Sequence, residues 1–152
     1  MVSTLPDMRD LRMAKYKRGG RSADEGLDCK SLFVEVMNRC GNDVRTPDIE
    51  VFAVERVAAS LARGEYPYSE ADAGLVAQEL RSGKWQKIDA PEFVCAVLMA
   101  LDPDKPALIQ HLGVYIGEQR FIHILEDMGV IVSRIDDRFF RRKIRGFYRW
   151  IG

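Results

Sequence analysis

An excess of charge of either sign is what this chain most plainly lacks: 23 Lys and Arg stand against 23 Asp and Glu, for a formal net charge of +0. That balance gives no electrostatic reason to expect nucleic acid as a partner. Cysteine is scarce. Cys29, Cys40 and Cys95 do not make a disulfide framework and lack the paired spacing of a zinc site. The cysteines therefore give no reason to expect a zinc ion. Cys40 and Cys95 sit in apolar runs and read as buried small hydrophobes, and reduced thiols fit a cytosolic origin. No stretch approaches the roughly 18 apolar residues of a membrane span. The opening Met1-Val-Ser-Thr-Leu-Pro-Asp-Met-Arg-Asp10 has no apolar segment after a basic start, so no signal peptide is expected and the protein is expected to be cytoplasmic when made. Repeats and low-complexity linkers are missing too.

What remains is 152 residues, 47% hydrophobic, enough for one well-buried core and a single domain over 1–152. A short helix is expected over 7–15, then a loop through Gly19-Gly20 and Arg21-Ser-Ala-Asp-Glu-Gly26. Leu32, Phe33, Val36, Met37 and Cys40 have helical spacing, which predicts a helix from about Cys29 to Cys40 with Gly41 as its cap. Thr46-Pro47 opens a further helix ending near Gly64, with Ile49, Phe52, Ala53 and Val57 as its apolar stripe. Ser69-Glu-Ala-Asp72 opens another toward Arg81, so a helical insert is expected at about 46–83. From Trp85 the pattern changes. Phe93–Leu101 reads as a central strand, His111–Ile116 and Arg120–Leu125 as a hairpin, and Val130–Ile135 and Ile144–Ile151 as further strands. Helices first and antiparallel strands after predict an α+β fold. The basic run Arg138-Phe-Phe-Arg-Arg-Lys-Ile-Arg145 reads as a solvated strand edge, with a phosphate or wall-polymer site as the alternative.

Both histidines, His111 and His123, fall in the hairpin, and Asp28-Cys29 opens the first long helix. A thiol is a good nucleophile as thiolate, which a helix N-terminus favours. A histidine within reach can take the thiol proton and return it to a leaving amine, and a third polar group must orient that histidine. With a Gly117-Glu118-Gln119 loop, Ile116 pairs with Arg120 and Gly113 with His123. His111, Gly113 and His123 then share one face, and the imidazoles can approach across the bare glycine. A two-residue loop would put His123 on the other face. Taken singly, each residue has a plainer reading: a structural thiol, a strand histidine, a glycine marking a bulge.

Together the pieces Tyr16-Lys-Arg-Gly19-Gly20-Arg-Ser22, Asp28-Cys29, His111-Leu-Gly113-Val-Tyr115-Ile-Gly117 and Phe121-Ile-His123 resemble the NlpC/P60 family of cell-wall cysteine peptidases, over about residues 11–149. The resemblance implies a papain-like core, with the nucleophile helix packed on a small antiparallel β-sheet. It implies Cys29 as nucleophile, His111 as base and acid, and His123 as orienter. It also implies Tyr16 lining the substrate cleft and Asp28 holding the free amine of a peptidoglycan stem peptide, with no metal and no cofactor needed. The short form most resembles phage and prophage tail-associated members, which implies tail proteins as partners and delivery in a virion, with a free-standing bacterial hydrolase as the alternative. Two departures stand out. Lys30-Ser31 replaces the family's Ser-Gly after the cysteine, where Ser31 is expected to shift the helix. Pro91-Glu92 stands for a Gly-Asp turn. Three functions follow: a wall-peptide peptidase with an open groove, a structural tail-assembly protein with an occluded cleft and no turnover, and an acyl transferase or amidase on another substrate.

Overall fold

A computed structural model describes residues 5–17, 19–44, 79–80, 82–107 and 109–152. The helices expected over 46–64 and 69–81 lie outside the described residues, save Glu79 and Leu80, whose backbone is helical.

The first helix is one turn, α1 (Arg9–Arg12), shorter than the 7–15 expected. The chain then makes a two-residue ladder, β1 (Arg21–Ser22) against β2 (Gly26–Leu27). Gly20 is required here. A Cβ on it would stand 2.0 Å from the carbonyl oxygen of Gly26.

Helix α2 (Cys29–Arg39) begins one residue after Asp28, as its sequence predicts. Asp28 is the N-cap, and its carboxylate accepts from the backbone of Ser31 at 2.9 Å. The Ser31 hydroxyl in turn accepts from the Asp28 backbone N–H at 2.9 Å. This closes a capping box. Ser31 therefore fixes the helix start instead of displacing it. At the other end Gly41 has φ 91°, Asn42 N–H reaches the Met37 carbonyl and Gly41 N–H that of Asn38. That is the expected glycine cap in its Schellman form. Arg39 holds α2 to α1 through paired bonds of 2.7 Å to Asp10.

Among the described residues six strands form one antiparallel sheet: β3 (Trp85–Ile88), β4 (Ala96–Met99), β5 (His111–Gly117), β6 (Arg120–Leu125), β7 (Gly129–Arg134) and β8 (Ile144–Trp150). Their spatial order is β3-β8-β4-β5-β6-β7. β4 is central as expected, but shorter than the apolar run that encodes it. Val94 interrupts that run with φ 63°, in the left-handed region that β-branched residues avoid. The left-handed turn position is thus Val94, not Pro91-Glu92. The Glu92 carboxylate pairs instead with Arg149 on β8.

The sheet has two covered faces. Ala96, Leu98, Val114, Ile116, Ile122 and Ile124 form one core with Leu32, Phe33, Val36 and Met37 of α2. Val97, Met99, Tyr115 and Phe121 alternate to the opposite face. That face is closed by Phe140 from a short helix, α3 (Arg138–Arg141). The first half of the basic run is therefore a helical turn rather than a strand edge, and its Phe140 is drawn inward while Phe139 is 55% exposed.

Candidate active site

The hairpin of β5 and β6 decides where the histidines point. Its turn differs from the expected one. Gly117, not Ile116, pairs with Arg120, and the turn residues are Glu118 and Gln119 alone, with φ 54° and 62°. A two-residue turn would by itself reverse the parity. A register shift between Tyr115 and Gly117 restores it, so Tyr115 faces Phe121 and Val114 faces Ile122. Continued along the strands, this register sets Gly113 opposite His123. A Cβ on Gly113 would come within 2.9 Å of the Phe121 ring and 3.3 Å of the His123 Cβ. The missing side chain is what lets His111 lean across.

The two imidazoles meet: His111 Nε2 lies 2.8 Å from His123 Nδ1. His123 Nε2 lies 2.8 Å from Ser133 Oγ on β7. Sequence reading had no place for Ser133. The signal was present in the pairing of β6 with β7, which sets Ser133 opposite Phe121, on the face that carries His123. The rings of Phe121 and Phe140 pack on His123 at 4.5 and 5.1 Å between centroids.

Cys29 is the first residue of α2 and belongs to the core on the other face. Its sulfur lies 3.8 Å from the carbonyl oxygen of Gln110, the residue before His111. The thiol thus reaches the corner where β5 begins. Cys29 is 5% exposed, His111 and His123 0%. All three side chains are buried, where an open groove between the helix N-terminus and the hairpin is expected of a wall-peptide peptidase.

Burial costs a charged imidazole its hydration, so the pKa of His111 falls to about 3. His123 falls to about 2, mainly by burial and further by its neighbour His111. Both rings are neutral at neutral pH. Burial pushes the Cys95 thiol up to about 11 and raises that of Cys40, so both stay protonated.

Tyr16 makes a bridge to Leu27, two residues before Cys29, and packs partly buried against the core. Asp28 spends one carboxylate oxygen on the cap and the other on the Gly19 N–H at 3.0 Å, tying the glycine turn to the helix start. Among the described residues no group of three His, Cys, Asp or Glu side chains gathers at metal-ligand distance. No helix among them is long and apolar enough to cross a membrane.

This arrangement of helix and sheet is found in solved structures. The chain is similar to an NlpC/P60 family protein from Bacillus cereus ATCC 10987, at TM-score 0.59 and 16% identity, over 97% of this chain and 41% of that one. It is similar also to a lipoprotein-like NLP/P60 family protein from Staphylococcus aureus subsp. aureus Mu50, at TM-score 0.58 and 16% identity, over 95% and 39%. The fold is therefore that of NlpC/P60 structures, and the chain spans about two fifths of the length of these two. No protein-family model matches the chain, and no curated protein does.

Proposed function

We propose that this protein is a cysteine peptidase of bacterial cell-wall stem peptides, a single NlpC/P60-like domain with a papain-like core. The observation that carries the reading is the 2.8 Å contact between His111 Nε2 and His123 Nδ1, at the strand start where the Cys29 sulfur abuts Gln110. With Nε2 committed to His123, Nδ1 of His111 is the nitrogen that takes the thiol proton. The Cys29 sulfur then attacks the scissile carbonyl carbon, and the tetrahedral adduct collapses as His111 gives the proton to the leaving amine. Water, deprotonated by the same nitrogen, hydrolyses the acyl-enzyme. Backbone N–H groups at the start of α2 offer hydrogen bonds to the oxyanion. Tyr16 and Asp28 line the substrate side, Asp28 offering a carboxylate to the free amine of the stem peptide. Association with a phage or prophage tail is the setting we propose, with tail proteins as partners.

The test is hydrolysis of purified muropeptides by the wild type and by Cys29→Ala. The expected outcome is turnover by the wild type and its loss in the variant, by a factor of at least about a hundred. Full activity in Cys29→Ala would overturn the assignment.

A second reading has its own observation. The burial of Cys29, His111 and His123 suits a structural protein of tail assembly that keeps the fold without turnover. Wall-peptide turnover that depends on Cys29 would decide against it.

A further inference from the structure

Three polar groups run in line across β5, β6 and β7: His111, His123 and Ser133, joined by contacts of 2.8 Å each. Such a chain has two self-consistent proton arrangements. In one, His111 donates from Nε2 to Nδ1 of His123, which donates from its own Nε2 to the Ser133 oxygen. In the other every proton is reversed: the serine donates to His123, His123 donates from Nδ1 to His111, and His111 carries its proton on Nδ1. The first leaves Nδ1 of His111 as an acceptor. The second makes it a donor that cannot take up a thiol proton.

We propose that Ser133 is a positioning residue: by accepting the Nε2–H of His123 it selects the first arrangement and so keeps Nδ1 of His111 as a base. Ser133 is half-buried, whereas both histidines are enclosed. Being half-buried, its hydroxyl is able to send its proton to water while a lone pair faces the ring. The strand order supplies the rest, since β7 is paired to β6 along its whole length and holds the serine in register. Removing the hydroxyl leaves the His123 Nε2–H buried without an acceptor. That strands a donor at a cost of about 1–3 kcal/mol. Reversing both tautomers only moves the donor to Nδ1 of His111, which is enclosed as well, so without the hydroxyl the preference for the first arrangement is lost and the two mix. The use of that nitrogen as base rests on the peptidase reading; the tautomer assignment does not.

The experiment is long-range proton–nitrogen NMR of the imidazoles in the intact protein, which has two histidines to resolve. In the wild type both rings are expected to carry their proton on Nε2. In Ser133→Ala each ring is expected to divide its proton between Nε2 and Nδ1, and Ser133→Thr is expected to keep the wild-type pattern. Alkylation of Cys29 by iodoacetamide at neutral pH is expected to slow about twofold in Ser133→Ala and to recover in Ser133→Thr. A wild-type spectrum with the His123 proton on Nδ1, or unchanged tautomers in Ser133→Ala, would overturn the proposal. Should the alanine variant fail to fold, the wild-type spectrum and Ser133→Thr decide alone. The peptidase reading fails separately, through muropeptide turnover that survives Cys29→Ala.

Discussion

Two enclosed imidazoles make this protein sensitive to acid in a defined way. Their folded values, about 3 and about 2, lie below the 6.5 of an unhindered histidine, so the unfolded chain takes up protons first. Their contribution to stability is complete above about pH 6.5 and is lost as pH falls toward the folded values. Each costs up to about 1.4 kcal/mol per pH unit in that window. The exposed carboxylates paired with arginine, such as Asp10 and Asp136, have lowered pKa values and matter only below the usual carboxylate range. Urea unfolding between about pH 6.5 and 4.5 is therefore expected to show a falling midpoint, with a shallower slope in His123→Gln. At this scale the meeting of His111 with His123 was legible in the sequence through residue type and spacing. The sequence was silent on Ser133, because a serine becomes a hydrogen-bond partner only through a neighbouring strand's register.

At the scale of elements, the hairpin turn and the α2 cap offer opposite tests. Glu118 and Gln119 both adopt left-handed backbone, the conformation that Asn-Gly takes with least strain in two-residue hairpins. The double substitution Glu118→Asn with Gln119→Gly is expected to raise stability by about 1 kcal/mol in thermal or urea unfolding. Asp28 goes the other way. Asp28→Ala removes the acceptor for Ser31 and for Gly19, and is expected to cost about 1–2 kcal/mol. Asp28→Asn keeps an acceptor oxygen and is expected to lose less by the same measurement. Helix α2 was legible to within a residue because cap, periodicity and terminal glycine agree. The turn was legible in place but not in form. A bulge adds a residue without changing the alternation of apolar side chains, so counting along the strands cannot see it. The one-turn helix at Arg138–Arg141 was hidden for a different reason: a single turn is too short to show a period.

Over the whole molecule, the α+β class was readable because helical periodicity gives way to apolar runs after Trp85. The strand order was not. Edge strand β3 has one strongly buried residue, Trp85, among Trp85–Ile88, and nothing in that pattern names its partner. Its partner is β8, which also pairs with β4. That placement has a consequence for how the chain comes off the ribosome. β3 and β4 are neighbours in sequence yet never touch as strands; each waits for residues 144–150 to arrive between them. Until then both present bare backbone edges, and the apolar face meant for α2 lies partly uncovered. Closure of the sheet is thus a late, non-local event in synthesis, of the kind that slows folding and invites chaperones or edge-to-edge association. A ribosome stalled before β8 would hold a nascent chain with its helix made and its sheet still open.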